Sequence, residues 1–239
     1  MHGAILVAGG SGLRMKSHVK DKLLHPIMGS NAFRMCCEAF VKSEAIAFLT
    51  IVYRDEDQKK ALVDEYEIVR AKTDCSISPI MIKGGEERKD SVLHGLQSLP
   101  DACEFVQVHD CARPMIRSST VSMIAREVEA KGAVVACRPA QDTVRQIEIE
   151  AKKTAPNHPQ STKTLERHTL WLMETPQAAR KDWLLQGFHE AAKQKISITD
   201  EIAALELISK KTAFLELGYP NPKITKMDDL DFIQYLLQK

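Results

Sequence analysis

The chain has 239 residues, and 33 Lys and Arg against 32 Asp and Glu leave a formal net charge of +1. A balance of this kind excludes a global positive field that would hold nucleic acid or an anionic membrane. Hydrophobic residues at 44%, with few Gly and Pro, exclude disordered and collagen-like chains. No apolar run approaches the roughly 18 residues of a spanning helix, and the N-terminal apolar stretch is too short for a secretory signal. We therefore expect small-molecule partners and a cytoplasmic protein.

The six cysteines include no CxxC pair, and Cys36 and Cys37 are adjacent. This spacing fits neither a zinc site nor a disulfide framework. We expect reduced thiols, most of them in the core.

Short β-rich runs alternate with longer helical stretches over the first part of the chain. Buried strands are predicted at 4–7, 47–52, 80–82, 105–108 and 133–136, and helices at 32–41, 56–71, 91–99 and 119–131. Parallel neighbouring strands need helical crossovers of this kind. The pattern predicts an α/β fold with a mostly parallel, doubly wound sheet.

This alternation breaks beyond Arg138, where residues 146–167 are polar and offer little to bury. Such an excursion is typical of a protruding arm. Helices are then predicted at 177–193, 201–208 and 228–237, with a strand at 212–217. We expect a single domain over residues 1–239, with an inserted arm at about 142–174.

The first predicted strand runs into residues 8–15, with the sequence AGGSGLRM. Glycines let backbone N–H groups approach an anion and Arg14 adds a positive charge, so this segment suits nucleotide phosphates. It is neither a P-loop, which ends in Gly-Lys-Ser/Thr, nor a dinucleotide fingerprint, since Met15 replaces the third glycine. A tight strand-to-helix turn is the alternative. Lys22 supplies a second cation, and two cations near one phosphate favour phosphoryl-type transfer.

Two later segments also follow predicted strands. Residues 84–96 (GGEERKDSVLHGL) place a turn before a helix whose first residues can cap it or bind an anion. Asp110 follows the next strand, at the edge where doubly wound sheets bind ligands, and is a candidate Mg²⁺ ligand. A surface ion pair between Asp110 and Arg113 is the alternative. We expect His109 to be a structural hydrogen-bonding residue.

Together these segments resemble the cytidylyltransferases that join CMP to 2-C-methyl-D-erythritol 4-phosphate in the non-mevalonate isoprenoid pathway. The resemblance covers nearly the whole chain in order. It is carried by seven short segments: 8–22, 84–96, 109–114, Asp142-Thr143-Val144, Arg167 with Thr175-Pro176-Gln177, Thr199-Asp200-Glu201, and 221–225 (NPKIT).

This resemblance implies a Rossmann-like, GT-A-type nucleotidyltransferase that uses CTP and Mg²⁺. Around CTP it implies Ala8, Gly9, Gly10 and Gly12 at the phosphates, and Gly85, Glu86 and Ser91 at the base and ribose. As the cations that stabilise the reacting α-phosphorus and its neighbours it implies Arg14, Lys22 and Lys223. On the acceptor side it implies Asp110 near the metal, with Arg113, Thr143, Arg167, Thr199 and Thr225.

The family's arm hooks around a second subunit, so the resemblance also implies a homodimer in which Thr143 and Arg167 act across the interface. Its reaction is an in-line attack of the erythritol phosphate on the α-phosphorus of CTP, with pyrophosphate leaving. The attacking phosphate is already anionic near neutral pH, so no general base is needed.

This sequence departs from the family pattern at two places near these residues. Asp21 stands before Lys22 where the family usually has proline, and the spacing from Arg14 is one residue longer, which leaves Lys20 as the alternative to Lys22. Cys111 replaces the usual alanine beside Asp110. One hypothesis is therefore a thiol near the metal.

Two other functions stay open at this point. A ribitol 5-phosphate cytidylyltransferase shares nearly all of these motifs and differs in the acceptor pocket around Thr143, Arg167 and Thr199. A catalytically silent protein would bind CTP and release no pyrophosphate.

Overall fold

The computed structural model describes residues 1–10, 19–147 and 162–239. Its strands are β1 (His2–Val7), β2 (Pro26–Ile27), β3 (Ser30–Asn31), β4 (Ile46–Tyr53), β5 (Ile80–Lys83), β6 (Phe105–Asp110), β7 (Ala133–Pro139), β8 (Arg145–Ile147), β9 (Thr162–Thr164), β10 (Trp171–Arg180) and β11 (Ala213–Glu216). Seven of them form the central sheet, in the order β11-β7-β10-β6-β1-β4-β5. Within it, only β10 runs antiparallel to its neighbours β6 and β7. The mostly parallel α/β sheet expected from the sequence is confirmed.

The helices are α1 (Ala32–Val41), α2 (Glu56–Thr73), α3 (Arg88–Ser98), α4 (Ser118–Lys131), α5 (Lys181–Gln194), α6 (Glu201–Leu207) and α7 (Met227–Leu237). Each predicted helix overlaps one of these. The helix predicted at 177–193 was wrong in its first turn, because residues 177–180 are the end of β10 and pair with both β6 and β7. Pairing on both sides overrides the helix propensity of the Ala-Ala-Arg run.

The central strand β1 is buried on both faces, as a parallel strand between two layers of helices requires. Ala4 and Leu6 pack in the cluster that contains α1 and α2, whereas Ile5 packs in the cluster that contains α3 and α5. From β1 the chain moves outward through β4 to β5, and it then returns through α3 to β6 on the other side of β1. Doubly wound sheets open a ligand crevice at the carboxyl ends of strands at this point.

The predicted arm falls partly on described residues. β8 and β9 pair antiparallel, and all their residues are exposed. Residues 171–174, which the prediction placed at the end of the arm, lie in β10 of the central sheet. None of the helices in the described ranges is long and apolar enough to cross a membrane.

Candidate active site

A cavity of about 540 Å³ opens at the carboxyl ends of β1 and β6. It brings together predicted site residues from the first half of the chain and from the segment near its C-terminal end. Those that line it are Ala8, Gly9, Gly10, Lys22, Gly85, Glu86, Ser91, Asp110, Lys223 and Thr225. The edge of the sheet at which the sequence predicted a ligand site is therefore the edge that carries the cavity.

Lys22 and Lys223 come to this cavity from opposite ends of the chain. The Lys22 Nζ donates a hydrogen bond of 2.7 Å to the backbone carbonyl of Ile224, the residue after Lys223. Lys20, the alternative to Lys22, lines a different cavity together with His25 and Asp57. The geometry thus favours Lys22 over Lys20 as the cation of this site.

The segment that begins at Gly84 forms the opposite wall, at the start of α3. The Gly85 N–H donates to the Ser91 hydroxyl at 3.1 Å, so Ser91 holds the turn as well as facing the cavity. A Cβ atom on Gly85 would overlap the Cβ of Asp90, so only glycine fits this turn. The Glu87 N–H donates to Asp90, which closes the capping box of α3.

Asp110 is the most strongly paired charge of the site. Its Oδ1 accepts a hydrogen bond of 3.0 Å from Arg88 Nε, and its Oδ2 accepts one of 2.6 Å from Lys223 Nζ. Burial alone would raise the pKa of this carboxyl, but the charges of Arg88 and Lys223 outweigh burial and hold the pKa below its usual range. The alternative pairing with Arg113 is wrong, because Arg113 directs its Nη1 to the carbonyl of Asn221.

Behind Asp110, the buried Glu201 holds Arg88 in place. Two hydrogen bonds of 2.8 and 3.1 Å join the Arg88 guanidinium to the Glu201 carboxylate. Burial disfavours the charge of Arg88, but Glu201 and Asp110 together raise the pKa of Arg88. Gln177 accepts from the Glu201 N–H with its Oε1 and donates to Asp200 with its Nε2, and so fixes the start of α6. The resemblance segments around Gln177 and Glu201 thus support the cavity from behind.

His109 and Cys111 flank Asp110 and point away from the cavity. Burial lowers the pKa of His109 to about 4, so the imidazole is neutral at pH 7. Its Nδ1 accepts from the Thr175 hydroxyl at 3.0 Å and its Nε2 donates to the Arg113 carbonyl at 3.2 Å, in agreement with the structural role predicted. Cys111 is fully buried in the α1 cluster, and burial raises the pKa of its thiol. The Cys111 thiol therefore does not line the cavity in which Asp110 would hold a metal.

Several predicted site residues do not line the cavity. Arg113 lies behind Asp110, and Thr143, Arg167 and Thr199 are exposed elsewhere on the chain. Arg167 donates to the carbonyl of Gln141 at 2.7 Å, within the base of the predicted arm. Gly12 and Arg14 lie outside the described residues.

Two arginines that the sequence reasoning did not assign also line the cavity, Arg54 and Arg88. Arg54 directly follows β4, so the rule that pointed to Asp110 at the end of β6 would have found it. Arg88 carries no such signal, because its partner Glu201 lies 113 positions away in the sequence.

A doubly wound sheet with glycines, lysines and a carboxylate at its switch point defines the nucleotide-binding class of α/β proteins. The family model described as IspD, 2-C-methyl-D-erythritol 4-phosphate cytidylyltransferase, matches residues 2–239. The chain belongs to this family of nucleotidyltransferases.

Two relatives agree with this assignment. A bifunctional enzyme IspD/IspF of Desulfotalea psychrophila is 33% identical over 241 residues, which cover 100% of this chain and 57% of that protein. A 2-C-methyl-D-erythritol 4-phosphate cytidylyltransferase of Shouchella clausii is 30% identical over 240 residues, 100% of this chain and 97% of that protein.

The fold is shared with the crystal structure of a 4-diphosphocytidyl-2C-methyl-D-erythritol synthase of Anaerococcus prevotii. The TM-score is 0.81 at 23% identity, over 100% of this chain and 96% of that one. A 2-C-methyl-D-erythritol 4-phosphate cytidylyltransferase of Thermus thermophilus gives a TM-score of 0.74 at 19% identity, over 100% of both chains.

Proposed function

We propose that this protein transfers the cytidylyl group of CTP to 2-C-methyl-D-erythritol 4-phosphate and releases pyrophosphate, a step of isoprenoid synthesis. The family carries the name of this activity. The single observation that supports it most is the meeting of Lys22 and Lys223 at one cavity with the glycines after β1. Two lysines in a cleft that Gly9 and Gly10 also line neutralise the charge that a triphosphate brings and that pyrophosphate takes away.

The reaction is a direct displacement. An oxygen of the erythritol phosphate forms a bond to the α-phosphorus of CTP, the bond from that phosphorus to the bridging oxygen breaks, and pyrophosphate leaves with the electron pair. Catalysis is then positioning and charge neutralisation. In this proposal Arg14, Lys22 and Lys223 stabilise the charge that develops. The backbone at Ala8, Gly9, Gly10 and Gly12 holds the phosphates, and Gly85, Glu86 and Ser91 hold the base and ribose.

The acceptor binds on the Asp110 side. The Nε of Arg113 is buried and has no hydrogen-bond partner among the described residues. An unpaired buried donor costs free energy, so a substrate oxygen that accepts a hydrogen bond from this Nε would be favoured. The Thr225 hydroxyl lines the same cavity and is oriented by a hydrogen bond of 2.6 Å to Asp229. Thr199 does not line the cavity, but it stands two residues before Glu201, which holds Arg88 behind Asp110, and we assign it to the acceptor side of its own chain for that reason.

Mg²⁺ is proposed as the cofactor, with Asp110 as its protein ligand. The described residues contain no cluster of three or more His, Cys, Asp or Glu side chains suited to a metal. A single carboxylate fits Mg²⁺ when substrate phosphates and water supply the other ligands. When bound, Mg²⁺ supplies charge compensation at the triphosphate. Arg88 and Lys223 occupy both oxygens of Asp110, so one of these contacts would lengthen on loading.

We also propose a cytoplasmic homodimer formed through the arm. Thr143 and Arg167 are exposed and do not line the cavity of their own chain, which fits a role at the cavity of a second copy. Six free thiols fit a reducing compartment. If Arg167 acts in the partner's site, Arg167→Ala and Lys22→Ala dimers are each inactive, and subunit exchange between them restores part of the activity. No recovery in a mixture that has exchanged subunits would refute the shared site.

Pyrophosphate release from CTP and Mg²⁺ tests the activity. 2-C-methyl-D-erythritol 4-phosphate and ribitol 5-phosphate are offered in separate reactions, and the product is identified by mass. We expect release with the former alone. Release with ribitol 5-phosphate alone would identify the protein as a ribitol 5-phosphate cytidylyltransferase. Binding of CTP without release from either acceptor would identify a catalytically silent protein.

A further inference from the structure

Asp21, which stands directly before Lys22, makes hydrogen bonds that none of the proposed catalytic roles use. Its Oδ2 accepts a hydrogen bond of 2.7 Å from Gln58 Nε2 and lies 3.4 Å from Arg54 Nη2. Its Oδ1 accepts from the Leu23 N–H at 2.9 Å, so the carboxylate also shapes the backbone on the far side of Lys22. The side chain of Asp21 is only 10% exposed. We call Asp21, Arg54 and Gln58 the Asp21 network.

Gln58 connects Asp21 to residues 8–10, which we call the glycine segment. Its Nε2 donates to the Ala8 carbonyl at 3.1 Å as well as to Asp21, and its Oε1 accepts from the Arg54 N–H at 2.7 Å. Gln58 is buried in the first turn of α2. Its side-chain amide makes three hydrogen bonds, and all three are with residues of this site. A buried amide whose donors and acceptor are paired holds one fixed orientation.

Arg54 makes the same connection a second time. Its Nη1 lies 3.3 Å from the Gly10 carbonyl while its Nη2 faces Asp21. Its Nε donates to Asp55 at 2.8 Å, and Asp55 is itself the N-cap of α2. The guanidinium is therefore anchored to the helix and spans the two segments.

The two connected segments are the walls of the proposed phosphate site. Ala8, Gly10 and Lys22 all line the cavity, and they stand on either side of Arg14 in the sequence. The contacts that Arg54 and Gln58 make with these walls come from the end of β4 and the first turn of α2, and Asp21 adds its own hydrogen bond from the Leu23 N–H. Their separation is thus set by a rigid element of the fold.

We propose that Asp21 and Gln58 are positioning residues, which set the distance between the Lys22 ammonium and the phosphate-binding backbone of the glycine segment. This inference rests on the proposed cytidylyl transfer and adds to it residues that act through Lys22. A displacement of about 1 Å in a positioned group can lower a rate by roughly 10²-fold.

A double-mutant cycle tests the proposal. Asp21→Ala is expected to lower kcat by about 10- to 100-fold with a smaller change in KM for CTP. In a Lys22→Ala background, Asp21→Ala should have little further effect, because residues that act as a unit are not additive. Asp21→Asn, which keeps the shape and removes the charge, should give an intermediate loss. Independent, multiplicative losses from Asp21→Ala and Lys22→Ala would overturn the proposal.

The matched control is Asp57→Asn. Asp57 is an exposed carboxylate in the same turn of α2, and its side chain makes no hydrogen bond or ion pair with any residue that the structure describes. The substitution removes the same charge and should leave kcat within about twofold of wild type. An equal loss in Asp57→Asn and Asp21→Asn would mean that local charge is responsible and would refute a positioning role.

Hydrogen exchange gives a result that does not depend on any activity. Asp21→Ala should increase amide exchange both in a peptide that contains Leu23 and in one that contains Gly9 and Gly10, because the Asp21 network joins them. Faster exchange only around Leu23 would show that Asp21 shapes its own turn and would refute the connection. If wild-type protein releases no pyrophosphate but exchange changes in both peptides, the proposed function fails and the connection stands.

Discussion

The two sides of the cavity hold their lysines by different physical means. On the β1 side, Lys22 follows Asp21, which is joined to α2 by hydrogen bonds from an amide and a partly exposed guanidinium. On the β6 side, Lys223 is paired directly with the buried Asp110, whose second partner Arg88 is held by the buried Glu201. On the first side the nearest partner of the Asp21 carboxylate is the neutral amide of Gln58, at 2.7 Å, and the Arg54 guanidinium is 3.4 Å away. Loss on the second side leaves a buried charge without its counter-charge.

The two sides should therefore respond differently to substitution. Replacement of Lys22 is expected to lower the rate at nearly constant stability. Changes behind Asp110 are expected to lower the free energy of unfolding as well, because unpaired buried charges are costly.

The largest effect is expected from Lys22→Ala. Loss of one preorganised charge contact to the reacting phosphate costs about 10²- to 10³-fold in rate. We expect that loss in kcat, with a thermal unfolding temperature close to wild type, and the same outcome for Arg14→Ala. Lys20→Ala is the control, because Lys20 lines a different cavity and should leave the rate unchanged. A wild-type rate for Lys22→Ala together with a loss of rate for Lys20→Ala would mean that Lys20, and not Lys22, is the catalytic lysine.

A large loss of stability is expected from Glu201→Gln on the other side of the cavity. The substitution keeps the shape of the side chain and removes the charge that Arg88 faces at 2.8 Å. Breaking a buried pair costs about 3–5 kcal/mol, which lowers the unfolding temperature of a chain of this size by roughly 6–20 °C. Calorimetry measures this change directly.

The control for Glu201→Gln is Glu206→Gln. Glu206 lies on the same helix, and its side chain is exposed. We expect a change within about 0.5 kcal/mol for this variant. Equal unfolding temperatures for the two variants would contradict the role of Glu201 as the counter-charge of Arg88.

A smaller effect is expected in the pH dependence of stability, through His109 beside Asp110. The pKa of His109 is about 4 in the folded chain because of burial, against an ordinary value of about 6.5. Between these values the unfolded chain binds a proton that the folded chain does not, so the free energy of unfolding decreases as the pH falls from about 6.5 to about 4. The full decrease is on the order of 3 kcal/mol.

His109→Gln should remove most of this pH dependence, measured by denaturant unfolding at several pH values. His189→Gln, which removes an exposed imidazole from α5, should keep it. Asp110 adds to the pH dependence of stability only below this window. Under its ordinary pKa of about 4 the unfolded carboxyl takes up a proton, whereas the lowered pKa keeps the folded carboxylate charged, so stability decreases further as the pH falls. An unchanged slope in His109→Gln would mean that other groups carry the acid sensitivity.

Functional residues that follow a local signal could be predicted from the sequence. The glycines after β1, Lys22 and Asp110 stand at or near the carboxyl ends of predicted strands, and the sheet brings them to one cavity. The prediction of a helix from residue 177 was wrong at the end of β10, where residues 177–180 resemble a helix start and are paired instead with β6 and β7. No local pattern marks a strand that inserts antiparallel between two others, because its partners are distant in the sequence.

The alternation of strands and helices, the glycine segment and the carboxylate after β6 are properties of short stretches of sequence, and they determined the α/β class and the edge that carries the site. The tertiary structure decided which charges meet. Asp110 with Arg88 and Lys223, Arg88 with Glu201, and Asp21 with Gln58 are all contacts between distant parts of the chain. Charged residues are abundant and their interactions are short-ranged, so only the packing of α2, α3 and α6 around the sheet selects these partners.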